Sequence, residues 1–214
     1  ILIALQVNNW NEQRKTNNQL ETYYVQIKDE LNSDLDRVNE QIEIIESIVG
    51  LNERSLNFLK SDHPDSLKQL KFTLGALATG LTISFNYPVM QEFVNNGFLP
   101  KGESESLKVK FAEVQGLLNR NREFNKIIQN QYVQTIEPYI IETLNYQSIA
   151  LDRYQSFLVE GGPEVDFTQF KDDLVLWNQI TLKLEASTLY VSQLGHTQDQ
   201  ITELVELLNN QLEN

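Results

Sequence analysis

Nine apolar residues, Leu20, Tyr24, Ile27, Leu31, Leu35, Val38, Ile42, Ile45 and Val49, follow one another at steps of 4, 3, 4, 4, 3, 4, 3 and 4. Spacing near 3.6 residues keeps all of them on one side of an α-helix and scatters them over both faces of a strand. The stripe therefore predicts a long first helix, close to the heptad limit. Leu56 and Leu59 extend it, with Gly50 and Asn52 as weak points. From the N-terminus to about Leu59, at about 1.5 Å per residue, such a helix spans roughly 90 Å.

The punctuation agrees with long elements. Only 5 Pro and 9 Gly occur in 214 residues, below ordinary usage. The β-branched runs and Asn-Gly hairpin signals of a β protein are missing. The chain reads as all-α. Its breakers cluster at His63-Pro64-Asp65, Asn86-Tyr87-Pro88, Asn96-Gly97 to Gly102, and Glu160-Gly161-Gly162-Pro163.

The second segment is shorter and broken. Asp65 or Ser66 can cap a helix carrying Leu67, Leu70, Leu74, Leu77 and Leu81, weakened by Gly75 and Gly80. Ser84 or Asn86 can start another piece with Pro88 in its first turn, ending at Gly97 in the left-handed position. The third segment follows Gly102, with Ser104 as N-cap. Its stripe is Leu107, Phe111, Val114, Leu118, Phe124, Ile128, Tyr132, Ile136 and Tyr139, with Asn121 in one stripe position. Pro138 predicts a kink or break. The fourth has a weak capping box at Asp166 and Gln169. Its stripe is Phe167, Phe170, Leu174, Trp177, Thr181, Leu184, Thr188 and Val191, then Ile201, Val205, Leu208 and Leu212, interrupted at Gly195-His196.

Four stripes separated by short breaks predict an antiparallel helical bundle of about four long helices, the second short and broken, each burying one face. No internal repeat recurs, so a solenoid is not expected.

Charge limits the partners. Lys plus Arg total 17 and Asp plus Glu total 30, a net charge of −13. Clustered positive charge is what binds phosphate, so nucleic acid and anionic lipid are poor candidates. With 0 Cys, disulfides, thiolate metal sites and Cys nucleophiles are excluded. His63 and His196 sit in different breaks and read as turn or cap residues. Glu-x-x-His, His-Glu-x-x-His, phosphate-binding glycine loops and the Gly-x-Ser-x-Gly elbow do not occur. No catalytic, cofactor or metal residue is assigned, and the chain does not read as an enzyme. Asp29, Glu30, Asp34, Asp36 and Glu40 read as a solvated face, and Asp172-Asp173 as the opening of the fourth helix.

Two clusters remain as a candidate ligand or partner surface. Arg120, Arg122 and Lys126 form the tightest basic group; pairing with the acidic first helix is favoured over an anionic ligand. Phe85, Tyr87, Phe93 and Phe98 fall within the broken second segment. Core packing is favoured, and the walls of a small-molecule pocket are the alternative.

Ile1-Leu2-Ile3-Ala4-Leu5 opens the chain, followed by Gln6-Val7-Asn8-Asn9-Trp10-Asn11-Glu12. By pattern this is either the frayed first turn of helix one or the end of a transmembrane helix, with Trp10 at the lipid–water boundary where indoles collect. Ile1 to Glu12 resembles the membrane-exit motif, I-L-I-A-L-Q-x-N-N-W-N-E, of a family of uncharacterised single-pass membrane-anchored proteins best known from Bacteroidota. Phe85 to Leu99 is similar to that family's T-F-x-E-L-x-x-S-G-x-L pattern, departing from it at Pro88 and at Asn96, where Ser is usual. The resemblance implies an anchor without an activity. Ile1, Leu2, Ile3, Leu5 and Trp10 would belong to the anchor, residues 1–12 to its end and exit, and residues 13–214 to one helical-bundle domain. It further implies an inner-membrane location with the body facing the periplasm. The expected function is a membrane-tethered interaction or structural module, with a protein partner or self-association; a ligand-sensing bundle that binds a small molecule is the alternative.

Overall fold

A computed structural model describes residues 2–80, 82–98 and 105–213, with the side chain of Leu2 excepted. The expectations for Ile1, the Leu2 side chain, Leu81, Leu99 to Gly102 and the Ser104 cap lie outside the described residues. All regular elements among the described residues are helical. Three are long: α1 (Leu2–Lys60), α4 (Glu105–Gln131) and α8 (Leu174–Leu212). Between them, in chain order, come α2 (Pro64–Lys68), α3 (Pro88–Asn95), α5 (Glu137–Thr143), α6 (Tyr146–Ile149) and α7 (Asp152–Gln155).

The chain forms two compact units. One comprises Ile1–Asn39, Ser84–Asn119 and His196–Asn214; the other comprises Glu40–Ile83 and Arg120–Gly195. Each takes a stretch of α1, α4 and α8.

In the first unit, Tyr24, Ile27 and Leu31 of α1 meet Met90 and Phe93 of α3, Leu107, Phe111 and Val114 of α4, and Ile201, Leu204 and Leu208 of α8. Each such side chain withdrawn from water contributes about 2 kcal/mol. Helix α3 starts differently from the expectation of a Ser84 or Asn86 cap. Tyr87 is the N-cap residue and makes no side-chain capping bond. The capping oxygens come from another helix: Glu30 of α1 accepts the amides of Val89 at 3.0 Å and Met90 at 3.2 Å. A carboxylate suits the partial positive charge of that helix start. At the far end Gly97 takes φ 68°, the left-handed conformation that a glycine adopts without strain.

The second unit buries Leu67, Leu70, Leu74, Leu77, Ile136, Ile140, Ile149, Phe167, Phe170, Leu176 and Ile180. The single helix expected over Leu67–Leu77 is not present. His63 caps α2, its ring Nδ1 accepting the Asp65 amide at 3.3 Å, rather than Asp65 or Ser66 doing so. After α2 the chain tightens into two short 3₁₀ turns, Gln69–Phe72 and Leu74–Ala76. Residues 73–79 of this stretch are all buried, so packing on every side, and not one apolar stripe, holds the chain there. Gly75 is required there. A Cβ on it would stand 2.3 Å from the Ile149 carbonyl oxygen and 2.9 Å from the Leu151 nitrogen.

Three expected weak points do not break their helices. α1 runs through Gly50, and α8 runs through Gly195, so His196 is an exposed helical residue and not a turn residue. One interior glycine costs about 1 kcal/mol, less than one buried leucine returns. At Pro138 the chain widens instead of breaking. Tyr132–Ile136 form a π-helical turn, and Pro138 occupies the first turn of α5. Proline lacks the N–H and crowds the carbonyl four residues earlier; the wider turn relieves both. Gln179 Nε2 of α8 donates to the Thr135 carbonyl inside that turn at 3.1 Å.

The inner stripe of α8 also differs from the expected one. Leu176, Ile180, Lys183, Ser187, Tyr190, Leu194, Thr197, Ile201, Leu204 and Leu208 are buried. Leu174 is 68% exposed, and Thr181 and Thr188 face water. Asp173, with Asp172 before it at φ 63°, opens the helix. Its Oδ1 accepts the Val175 amide at 2.8 Å and the Leu176 amide at 2.9 Å, and its Oδ2 accepts the Tyr139 hydroxyl at 2.8 Å.

Candidate functional site

The expected surface residues separate on folding. Tyr87 and Phe93 are fully buried, and Phe85 and Phe98 pack against the same core. Phe93 lies 5.4 Å, centroid to centroid, from Phe111 and 5.7 Å from Tyr24, the separation that ring pairs favour. These aromatics hold α3 against α1 and α4. Tyr87 also carries chemistry. Burial raises the pKa of its phenol strongly, and the Asp34 carboxylate beside it adds to the rise. Asp34, 4% exposed, pairs with Arg37 one turn on, and Arg37 reaches the Ser84 carbonyl at 3.2 Å. Asp34 and Glu30 thus tie α1 to the segment entering α3, in place of the solvated face expected for them.

Arg120 and Arg122 are exposed and belong to the second unit, while the four aromatics belong to the first. Lys126 pairs with Glu123 of its own helix at 2.7 Å and not with α1.

At the start of α1, Ile3, Leu5, Val7 and Trp10 are 76%, 57%, 58% and 60% exposed. The Arg14 guanidinium lies over the Trp10 ring, 5.1 Å from its centroid. Among the described residues the helix persists there without a buried side chain from Ile3 to Tyr23. No helix among the described residues is long and apolar enough to cross a membrane.

In the second unit, Lys183 is 4% exposed and Nζ donates to the Thr79 carbonyl at 2.6 Å. Burial pushes the amine down to about 8. Beside it Tyr190 accepts the Ile83 amide at 2.9 Å and donates to Asn125 Oδ1 at 2.8 Å, while Asn125 Nδ2 donates to the Ile83 carbonyl at 2.7 Å. Burial pushes the Tyr190 phenol up to about 12. The cavity against Lys183 is about 10 Å³, room for no more than a water. A low-pKa amine is a competent nucleophile, yet no organic substrate fits. The network instead pins the irregular chain at Thr79 and Ile83 to α4 and α8.

Thr79 and Ile128 separate this cavity from a larger cleft of about 480 Å³. That volume suits a small-molecule site. Tyr132 and Val133 of the π-helical turn line one side, with Glu137 at the start of α5; Tyr146 and Tyr154 line it from α6 and α7. The backbone of residues 78–80 forms part of the wall, and the Tyr132 ring lies over Gly80, 4.0 Å from where a Cβ would stand. Burial raises the Tyr132 phenol, with the Glu137 carboxylate and then Tyr146 adding to it; burial and then Tyr154 raise Tyr146. In the sequence Tyr132 reads only as a stripe residue. The signal that marks the cleft is Pro138 in a helix flanked by tyrosines, since π-helical turns recur at functional sites.

A second, open crevice of about 770 Å³ lies between Glu43, Ser47 and Leu51 of α1 and residues 148–153, with Lys71 and Gln155 also lining it. Among the described residues no group of three or more His, Asp or Glu side chains could hold a metal ion. No family model, curated protein or solved structure matches this chain.

Proposed function

We propose that the chain is a helical interaction module held at a membrane through the start of α1, with its long helices packed as an antiparallel bundle and its body outside the inner membrane. The observation that supports the tether is the unpartnered first turns of α1, where Ile3, Leu5, Val7 and Trp10 stay exposed although the helix continues for 59 residues. An indole next to exposed aliphatic residues suits the lipid–water boundary. The partner is a second copy or another protein. Val175, Leu182 and Leu189, seven apart along α8, are 54%, 47% and 54% exposed and share a face that the core does not use.

Fractionation of cells making the natural gene product tests the tether. Retention in the membrane after alkaline carbonate, with the body cut by protease added to spheroplasts, is expected. Release into the carbonate wash would contradict it.

The tyrosine-lined cleft favours a second reading, in which the second unit binds a small molecule. Both readings are compatible in one chain.

A further inference from the structure

The small-molecule reading leaves the class of ligand open, and the cleft's own chemistry narrows it. Among the described residues lining it, Glu137 is the charged one. The protein as a whole carries −13. An anion would meet a carboxylate and no lysine or arginine lining the cleft. Three phenol rings offer electron-rich faces, and such faces attract ammonium groups from which water has been removed. The Tyr154 ring already carries a cation: the Arg153 guanidinium lies over it, 5.1 Å from its centroid, which leaves the Tyr132 and Tyr146 rings to face a ligand. The rings stand on three separate elements, the π-helical turn, α6 and α7. Gly75 packs closely on the Ile149 carbonyl and the Leu151 nitrogen, where α6 ends and the turn into α7 starts.

We propose that this cleft binds a small organic ammonium ion, with the rings of Tyr132 and Tyr146 beside its charged head and the Glu137 carboxylate as counter-charge. The claim rests on the small-molecule reading of the second unit and is independent of the tether. The head group is a primary to quaternary amine carried by a body of metabolite size. Thr82 and Gln129, both exposed and both lining the cleft, supply polar contacts for that body.

Isothermal titration of the full chain with choline, and with its neutral isostere in which carbon replaces the nitrogen, tests this. Choline is expected to bind with a Kd below about 1 mM, and the isostere at least about tenfold more weakly. Glu137→Gln and Tyr146→Leu should each weaken choline at least about fivefold, while Tyr132→Phe, which keeps the ring, stays within about twofold. Unchanged thermal unfolding of Glu137→Gln, a half-exposed position, keeps its result interpretable if Tyr146→Leu fails to fold. Equal binding of choline and the isostere would overturn the ammonium assignment and leave a small-molecule site standing. Absence of binding by both up to about 10 mM, where even an affinity of about −3 kcal/mol is visible, would overturn the assignment together with the reading beneath it.

Discussion

Lys183 Nζ donates to the Thr79 carbonyl at 2.6 Å, with both residues 4% exposed. An amine in that position is held near 8, against 10.5 for ordinary lysine, because burial disfavours its charge. The unfolded chain therefore binds this proton more tightly than the folded one. Stability is lowest below pH 8 and rises with pH toward 10.5. Tyr190, pushed up to about 12 by burial, acts the other way above pH 10, since its unfolded form ionises first. Between pH 8 and 9.5 Lys183 dominates, and a rise of about 2 kcal/mol is expected. Urea denaturation across that range should show the slope, and Lys183→Met should flatten it.

Glu30 caps α3 from α1, and no residue of the α3 segment replaces it. Glu30→Ala should cost about 1 kcal/mol in urea denaturation, the ordinary worth of a helix cap. Glu30→Gln, which keeps one accepting oxygen, should cost about half of that. Hydrogen exchange at the Val89 and Met90 amides should quicken in both variants, more in the first.

Two glycines of the second unit should respond in opposite directions. Gly75→Ala would press a methyl group against the Ile149 and Leu151 backbone, which does not swing aside as a side chain does. A loss of about 3 kcal/mol is expected. Gly50→Ala meets nothing within 4 Å inside a continuous helix and should gain about 0.5–1 kcal/mol. Thermal or urea unfolding of the pair measures both signs in one experiment.

The sequence carried the helical class, the long first and last helices, and Tyr87 and Phe93 as core. It carried the inner stripe of α1 in part: Tyr24, Ile27, Leu31, Val38 and Ile45 are buried as expected, while Leu35, Ile42 and Val49 are half-buried beside it. The true line continues through Asp34, Asn52 and Ser55, whose polarity hides them from a search for apolar spacing. Asp34 is paired with Arg37, and Ser55 donates to Thr73 at 2.7 Å, so their burial is compensated. In α8, Lys183, Ser187 and Thr197 conceal the stripe in the same way. Hydrophobic periodicity locates an inner face only where that face is apolar. The 3₁₀ turns and the tyrosine cleft depend on contacts between residues far apart in the chain, such as Gly75 with Ile149. No local pattern encodes such a contact. Glycines inside long helices mislead for the opposite reason: their local cost is real but smaller than the burial around them.

The central claim is that the start of α1 meets lipid. These 214 residues hold 2 Trp, and Trp177→Phe, with any tryptophan outside them changed likewise, leaves Trp10 as the reporter. The natural gene product carrying that change, reconstituted in bilayers with brominated acyl chains, should lose most of its Trp10 emission relative to ordinary bilayers. The companion Trp10→Phe, which reports from Trp177, should be unaffected. Trp10 emission that is the same in brominated and ordinary bilayers would contradict the tether.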